Sequence, residues 1–180
     1  MAAKILVTAN QKGGCGKTTV AMQIGGTLGR TGYRVLIVDA DPQGTATRWA
    51  ASATDENPFP AHVAGLAAAG GKVHREIKKY LDSYDYILVD CPPAVESAVP
   101  QSALLVADIA LVPIIPSPAD LWAATGTRGL IERAIEINPA LQARLVVNML
   151  QSNTSMSKEV LEVLEDFGIP LTEAKLHLRT

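Results

Sequence analysis

The sequence has 180 residues and a formal net charge of −2, with 48% hydrophobic and 19% charged residues. This length suits one domain with a single core, and the composition is typical of a soluble globular α/β protein. Two cysteines do not make a disulfide framework, and the near-neutral charge gives no overall sign of nucleic-acid binding. No apolar leader opens the sequence and no apolar run reaches the ~18 residues of a membrane span, so we expect a cytoplasmic protein with no membrane partner.

Strand-like and helix-like segments alternate along the chain, which predicts a parallel sheet wrapped by helices. Five nearly continuous apolar runs are typical of strands buried on both faces: residues 5–8, 35–38, 87–89, 109–115 and 145–150. Helical patterns lie between them at 18–30, 74–82, 97–106, 120–137 and 156–167. Residues 51–72, rich in Ala, Gly and Pro, predict an irregular connection. We therefore expect an α/β fold, a single doubly wound domain over residues 1–180 with helices on both faces of a mostly parallel sheet.

A Gly-rich segment follows the first predicted strand and opens the first predicted helix, which is the context of a phosphate-binding loop. Its glycines let successive backbone N–H groups turn toward one point, and the helix N-terminus adds partial positive charge. The alternative, a chance Gly-rich turn, is disfavoured by this strand and helix. We predict Mg²⁺-dependent ATP binding by eight consecutive residues: Lys12, Gly13, Gly14, Cys15, Gly16, Lys17, Thr18 and Thr19.

Within this loop, Lys17 is predicted to reach the β- and γ-phosphates, and the Thr18 hydroxyl to bind Mg²⁺. The strict phosphate-loop pattern has glycine at position 11, where this sequence has Gln11. Lys12 thereby becomes a second cation at the mouth of the loop.

Carboxylates follow two further predicted strands, at the edge where ligands bind in open α/β sheets. Asp39 and Asp41 come after the second strand, and one of them can support Mg²⁺ through water while the other orients the attacking water. The alternative is an Asp-Pro turn with solvated carboxylates, which the phosphate loop disfavours. Asp90 ends an apolar strand before Cys91-Pro92-Pro93, which is the Walker-B arrangement for holding Mg²⁺.

These motifs resemble those of the ParA/MinD family of deviant Walker-A ATPases, and the run from Pro113 to Trp122 resembles small partition ParA proteins. The resemblance implies a P-loop NTPase fold and an ATP-dependent sandwich homodimer, in which slow Mg²⁺-dependent ATP hydrolysis acts as the switch. It also implies a role in positioning or segregating DNA or another cargo, together with a ParB-like or cargo adaptor that stimulates hydrolysis.

The resemblance further implies three catalytic residues. Lys12 matches the family's signature lysine, which crosses the dimer to touch the partner's ATP, and Lys17 matches the phosphate-loop lysine. Asp41 matches the carboxylate that positions the hydrolytic water. The Mg²⁺ site is implied at Thr18, Asp39 and Asp90.

The C-terminal part of the sequence supports the resemblance less strongly. Partition ATPases commonly bind DNA nonspecifically through basic residues of later helices, but from Arg128 onward there are six Lys/Arg against seven Asp/Glu. That balance weakens the prediction of a DNA partner and of nucleoid association without removing it. Family members usually continue past a strand such as 176–178 into a loop and closing helix, so a shortened chain and a minimal domain are both open.

Other residues leave alternatives open. Asn148 ends an apolar run and can either hydrogen-bond the adenine edge or close a turn, so we include it among the candidate nucleotide contacts. Trp49 and Trp122 are expected to be core or interface anchors. A bridging iron–sulfur cluster through Cys91 is rejected, because it would need two thiolates in each subunit and Cys15 belongs to the phosphate loop.

Two other functions compete with the partition switch. A biosynthetic enzyme of the dethiobiotin-synthetase type would need a dedicated polar substrate pocket, and it would leave Lys12 without a role across a dimer. A membrane-recruited regulator of the MinD type would need a C-terminal amphipathic helix, for which residues 171–180 have neither the length nor a basic apolar stripe.

Overall fold

The computed structural model describes residues 2–93, 97–151 and 155–178, with only the backbone over 155–158. The described residues form one six-stranded sheet in the order β3-β2-β4-β1-β5-β6. Every strand pairing in it is parallel. The strands are β1 (Lys4–Thr8), β2 (Val35–Asp39), β3 (His62–Gly65), β4 (Tyr86–Asp90), β5 (Ile109–Ile114) and β6 (Gln142–Val147).

Six α-helices connect or follow the strands within the described ranges: α1 (Lys17–Arg30), α2 (Thr45–Ala51), α3 (Val73–Lys78), α4 (Ala98–Leu104), α5 (Pro118–Ile137) and α6 (Ser155–Glu165). A short 3₁₀ segment, Ala67–Lys72, leads into α3. The five predicted helices are confirmed, with ends that differ from the prediction by no more than four residues. The predicted doubly wound α/β fold is also confirmed, as one domain.

The sheet is buried on both faces because successive residues of a strand point to opposite faces, and in the central strands both sets are apolar. Ile5 and Val7 of β1 belong to a large core cluster with residues of α3, α4, α5 and α6, whereas Leu6 packs against the residues of α1. Val35 and Ile37 of β2 pack with Met22 of α1 on that second face. The helices therefore divide into two layers, with α1 and α2 on one face and α3 to α6 on the other.

Two sequence-based predictions are corrected here. Residues 51–72 are not simply an irregular connection, since they contain β3 and the 3₁₀ segment. β3 is a four-residue edge strand with half-buried or exposed side chains, so it lacks the apolar run that identified the other strands. The last strand ends at Val147 and not at Leu150, because the chain turns at Met149, whose φ is 53°.

The carboxyl ends of the strands meet at one edge of the sheet. Thr8, Asp39 and Asp90 are aligned in register across β1, β4 and β2. On the other side of β1, Ile114 pairs with Val147, and Asn148 follows directly. This topology brings the candidate residues of four separate strands around the loop that connects β1 to α1.

Candidate functional site

The loop between β1 and α1 forms an open cradle whose shape depends on two glycines. Gly14 and Gly16 have φ values of 75° and 96°, in the left-handed region that favours glycine. A Cβ on Gly16 would lie 2.1 Å from Asn148 Nδ2, whereas one on Gly14 would meet nothing within 4 Å. Gly16 therefore permits a close approach of β6, and Gly14 leaves the cradle open toward solvent.

Lys17 is folded over this cradle and is 7% exposed. Its Nζ donates to the Lys12 carbonyl oxygen at 2.8 Å and lies 3.9 Å from Cys15 Sγ. Burial raises the pKa of the Cys15 thiol, although the Lys17 charge opposes this effect. The Lys17 ammonium group thus lies where it would contact an anion bound in the loop. Its hydrogen-bond acceptor in the structure is the Lys12 carbonyl oxygen.

Asp90 and Thr18 are joined directly, since the Thr18 hydroxyl donates to Asp90 Oδ2 at 2.6 Å. Thr8 donates to the other carboxylate oxygen at 3.3 Å. Burial, reinforced by the neighbouring Asp39 charge, raises the pKa of Asp90 to about 6, and the Thr18 hydrogen bond opposes the rise. Two buried carboxylates, on β2 and β4, therefore lie side by side below the loop.

Asp39 keeps one carboxylate oxygen without a partner. Its Oδ2 accepts hydrogen bonds from the Thr47 backbone N–H and hydroxyl, both at 2.8 Å. Its Oδ1 is buried and has no hydrogen-bond partner within the ranges that the structure describes. A buried, unpartnered carboxylate oxygen is costly unless a cation or water satisfies it, so this atom is suited to a metal-bound water.

Asp41 lies beside the cradle in the turn after β2. Its Oδ1 accepts from the Gln43 backbone N–H at 2.9 Å, so the Asp-Pro turn exists. The same residue also lines a cavity of about 350 Å³ with loop residues that include Lys17 and Thr18. The turn and the site are therefore compatible at this position.

Lys12 points away from the cradle and contacts α5. Its Nζ lies 2.6 Å from Asp120 Oδ2, and the two side chains are 34% and 5% exposed, respectively. The Lys12 backbone N–H donates to Asn10 Oδ1 at 3.0 Å. The two lysines of the loop are thus directed to different places, with Lys17 over the cradle and Lys12 toward a helix.

The start of the loop is docked on β5 and α5 through residues that the sequence reasoning missed. Asn10 Nδ2 donates to the Pro113 carbonyl at 2.7 Å, and the Gln11 backbone N–H donates to Thr127 Oγ1 at 3.1 Å. Gly126 is in close contact with the Gln11 side chain, whose Oε1 would lie 2.1 Å from an added Cβ. The Ser-x-x-Asp spacing of Ser117 and Asp120 is a helix N-terminus signal, but it does not indicate the contact with Lys12.

Asn148 braces the loop. Its Nδ2 donates to the Cys15 carbonyl at 2.9 Å, and its Oδ1 accepts from the Met149 backbone N–H at 2.9 Å. The side chain is 6% exposed. This geometry favours the turn-closing alternative, and contact with adenine stays a prediction.

Two general features bear on the function. The described residues hold no group of three or more His, Cys, Asp or Glu side chains arranged to bind a metal ion. Among the helices of the described ranges, none combines the length and the apolar character needed to cross a bilayer.

Comparison with known proteins agrees with this geometry. The chain is similar to "Maintenance of carboxysome distribution protein A" of Halothiobacillus neapolitanus, with 36% identity over 174 residues that cover 97% of this chain and 79% of that protein. It is also similar to chromosome partitioning protein ParA of Caulobacter vibrioides, with 29% identity over an alignment 216 residues long, which covers 95% of this chain and 79% of that protein.

A solved structure shares the fold. Cobyrinic acid a,c-diamide synthase from Mycobacterium smegmatis, with bound ATP analog and magnesium, matches with a TM-score of 0.83 and 25% identity over 98% of this chain and 88% of that one. The family model described as the CobQ/CobB/MinD/ParA nucleotide binding domain matches residues 6–179. This match covers nearly the whole chain, and it agrees with the six parallel strands and with the glycine cradle and its two lysines. The protein therefore belongs to the CobQ/CobB/MinD/ParA nucleotide-binding domain family.

Proposed function

We propose that the protein is a ParA-like ATPase, which forms a sandwich dimer when ATP is bound and positions or segregates DNA or another cargo. The observation that carries this proposal is the divergence of the two lysines, because Lys17 covers its own cradle and Lys12 does not. A cation that is not needed by its own nucleotide is available to a second one. The names of the two sequence relatives, one for carboxysomes and one for chromosomes, support positioning as the biological outcome.

The residues present fit ATP and Mg²⁺. The backbone amides of the loop and Lys17 would hold the phosphates, and the Thr18 hydroxyl would be a direct Mg²⁺ ligand. Asp90 and Asp39 would complete the coordination of Mg²⁺ through water. Asp90 accepts a hydrogen bond from the Thr18 hydroxyl, and Asp39 has an unpartnered Oδ1 among the described residues. When bound, Mg²⁺ would neutralise charge on the phosphates.

Each catalytic residue would have a separate role. Lys17 would exchange the Lys12 carbonyl for phosphate oxygens as acceptors of its hydrogen bonds. Asp41 would orient the attacking water from the rim of the cavity. Lys12 would stabilise, across a two-fold interface, the charge that builds on the partner's phosphates.

The cellular context belongs to the same proposal. A ParB-like or cargo adaptor would stimulate hydrolysis, and the protein would work in the cytoplasm. Nonspecific DNA binding, and with it nucleoid association, is the weaker element because of the balanced charges after Arg128. ATPase rates measured with and without DNA would test that element separately.

A second candidate is supported by the synthase that shares the fold at a TM-score of 0.83. In an ATP-dependent biosynthetic enzyme, Lys12 would have no task across a dimer. Light scattering with Mg²⁺ and either ATP or ADP separates the two candidates. We expect ATP, but not ADP, to produce a dimer.

The Lys12→Ala variant makes this test specific. We expect it to stay monomeric with ATP while it binds nucleotide with nearly the wild-type affinity, because its side chain lies outside the cradle. Lys79→Ala, which removes an exposed lysine paired with Glu76 on the surface, is the control for loss of one charge. A Lys12→Ala protein that dimerises and hydrolyses ATP normally would refute the sandwich dimer and favour the biosynthetic enzyme.

A further inference from the structure

The ion pair between Lys12 and Asp120 differs from the other ion pairs of the described residues by its burial. Asp120 is 5% exposed, whereas the acidic partners in the other pairs are at least 35% exposed. Exposed pairs contribute little, because water and salt screen them, but a buried carboxylate needs an opposite charge close by. Asp120 therefore holds the Lys12 ammonium more firmly than a surface carboxylate would.

The surroundings of Asp120 concentrate this attraction on one oxygen. Its Oδ2 contacts both Lys12 Nζ and the Ser117 hydroxyl, and its Oδ1 is buried without a hydrogen-bond partner in the described part of the chain. Asp120 is the third residue of α5, and its backbone N–H donates to Ser117 Oγ at 3.2 Å. The carboxylate is thus fixed in place by the start of a long helix.

The loop backbone is held against the same helix. The Gln11 N–H donates to Thr127 Oγ1, which in turn donates to Asn10 Oδ1 at 3.2 Å. The Gln11 side chain packs over Gly126, where a larger residue would clash. Backbone and side-chain contacts together hold Lys12 on α5 of its own subunit.

We propose that Asp120 is a positioning residue that restrains Lys12 in its own subunit and thereby sets the ATP concentration at which two subunits associate. This inference rests on the proposed sandwich dimer. The phosphates of the partner's nucleotide must compete with the Asp120 carboxylate for the Lys12 ammonium group. ATP, which carries more negative charge than ADP, therefore displaces the carboxylate, and ADP does not. Ser117 and the positive end of the α5 dipole remain to stabilise the carboxylate after Lys12 leaves, which makes the restraint reversible.

The test is the ATP concentration that gives half-maximal dimer, measured by light scattering with Mg²⁺ on the full chain. Asp120→Asn keeps the size and the polarity of the side chain but removes the charge that restrains Lys12. We expect its midpoint to fall roughly 5- to 10-fold, as it would if the free lysine were present in about one wild-type molecule in five to ten. Glu132→Gln, which removes an exposed carboxylate from the same helix, is the matched control and should not shift the midpoint.

A merely structural role for Asp120 would not produce this gain, since damage to the helix start would raise the midpoint or abolish association. Because Lys12→Ala is expected to stay monomeric with ATP, the double variant with Lys12→Ala and Asp120→Asn should also stay monomeric. Asp120→Ser repeats the removal of charge with a smaller side chain if the amide prevents folding. An unchanged or higher midpoint in the folded neutral variants overturns the proposal. If the wild-type protein itself fails to associate with ATP, the proposed function fails with it, and the two failures are thereby distinguished.

Discussion

The two halves of the phosphate loop are anchored to different parts of the molecule. The second half is tied to the carboxylate-bearing strands, through the bond between Thr18 and Asp90. The first half is tied to α5, through Gln11 with Thr127 and through Lys12 with Asp120. Under the proposed function, the strand side would hold a nucleotide within one subunit, and the contacts of the helix side would be rearranged by a second subunit. One short loop can therefore serve two tasks that mutations should separate.

Trp122 extends the helix side toward solvent. It is 84% exposed and lies two residues after Asp120, so it is not the core anchor that its residue type allowed. The alternative, an interface anchor, stays a prediction for this exposed aromatic residue. Substitutions on the strand side are therefore expected to reduce ATP binding or ATP hydrolysis, whereas substitutions on the helix side are expected to reduce association of two subunits.

The largest effect is expected at Asp41, on the strand side. Asp41→Ala should bind ATP and dimerise, yet hydrolyse it about 100-fold more slowly or worse, because the attacking water loses its acceptor. Single-turnover hydrolysis alongside light scattering measures both properties. Asp55→Ala, an exposed carboxylate beyond α2, serves as the control. A wild-type rate in Asp41→Ala would leave this residue only a turn function.

Lys17→Ala should weaken ATP binding about 10- to 100-fold, as expected for the loss of a charge-assisted interaction with phosphates. Isothermal titration calorimetry with ATP and Mg²⁺ measures this change directly. In the same experiment Lys12→Ala should retain its affinity, which is the sharpest form of the contrast between the two lysines. Equal affinities in Lys17→Ala and the wild type would remove the phosphate-loop assignment.

Gly16→Ala should lower the free energy of unfolding by about 2–4 kcal/mol, since it adds a clash with Asn148 to the strain of a positive φ. Gly32→Ala is a matched control, because its φ of 94° is nearly the same and an added Cβ meets nothing within 4 Å. Urea denaturation of both variants isolates the clash. Equal losses would show that Asn148 does not brace the loop.

The smallest effect concerns Asp90 in the nucleotide- and metal-free protein. Its folded pKa of about 6 exceeds the ordinary value of 3.8, so between those values the folded state binds more protons than the unfolded state. Stability should therefore fall as the pH rises through this window, by about 1–3 kcal/mol in total. Asp90→Asn should flatten this part of the pH profile in urea denaturation and should also weaken the Mg²⁺ dependence of ATP binding. A profile identical to that of the wild type would contradict the raised pKa.

The sequence predicted the strand side of the site better than the helix side. The loop residues and the carboxylates are local patterns, because each lies at the end of an apolar strand or in the segment that follows one. The contacts of Asn10 and Lys12 with α5 join residues more than a hundred positions apart, and no short spacing encodes them. The contact of Asn148 with Cys15 spans 133 residues, so the turn and the adenine alternatives could not be separated beforehand.

The fold shows the same dependence on local signal. Long apolar runs predicted β1, β2, β4 and β5 closely, since strands buried on both faces cannot include many polar residues. β3 has the sequence HVAG at the sheet edge and gave no such run. α2 was missed because seven residues are too few to display a helical period, and its start is fixed instead by the bonds from Thr47 to Asp39.

The bracing of the loop by Asn148 has a consequence for how the protein is made on the ribosome. The Gly-rich loop is synthesised before Asp120 and Asn148, whose side chains hold it in shape. A nascent chain therefore carries the loop in an unfixed form until most of the domain has left the exit tunnel. Nucleotide binding during synthesis should appear late and abruptly, and nascent chains arrested before residue 148 should fail to retain ATP.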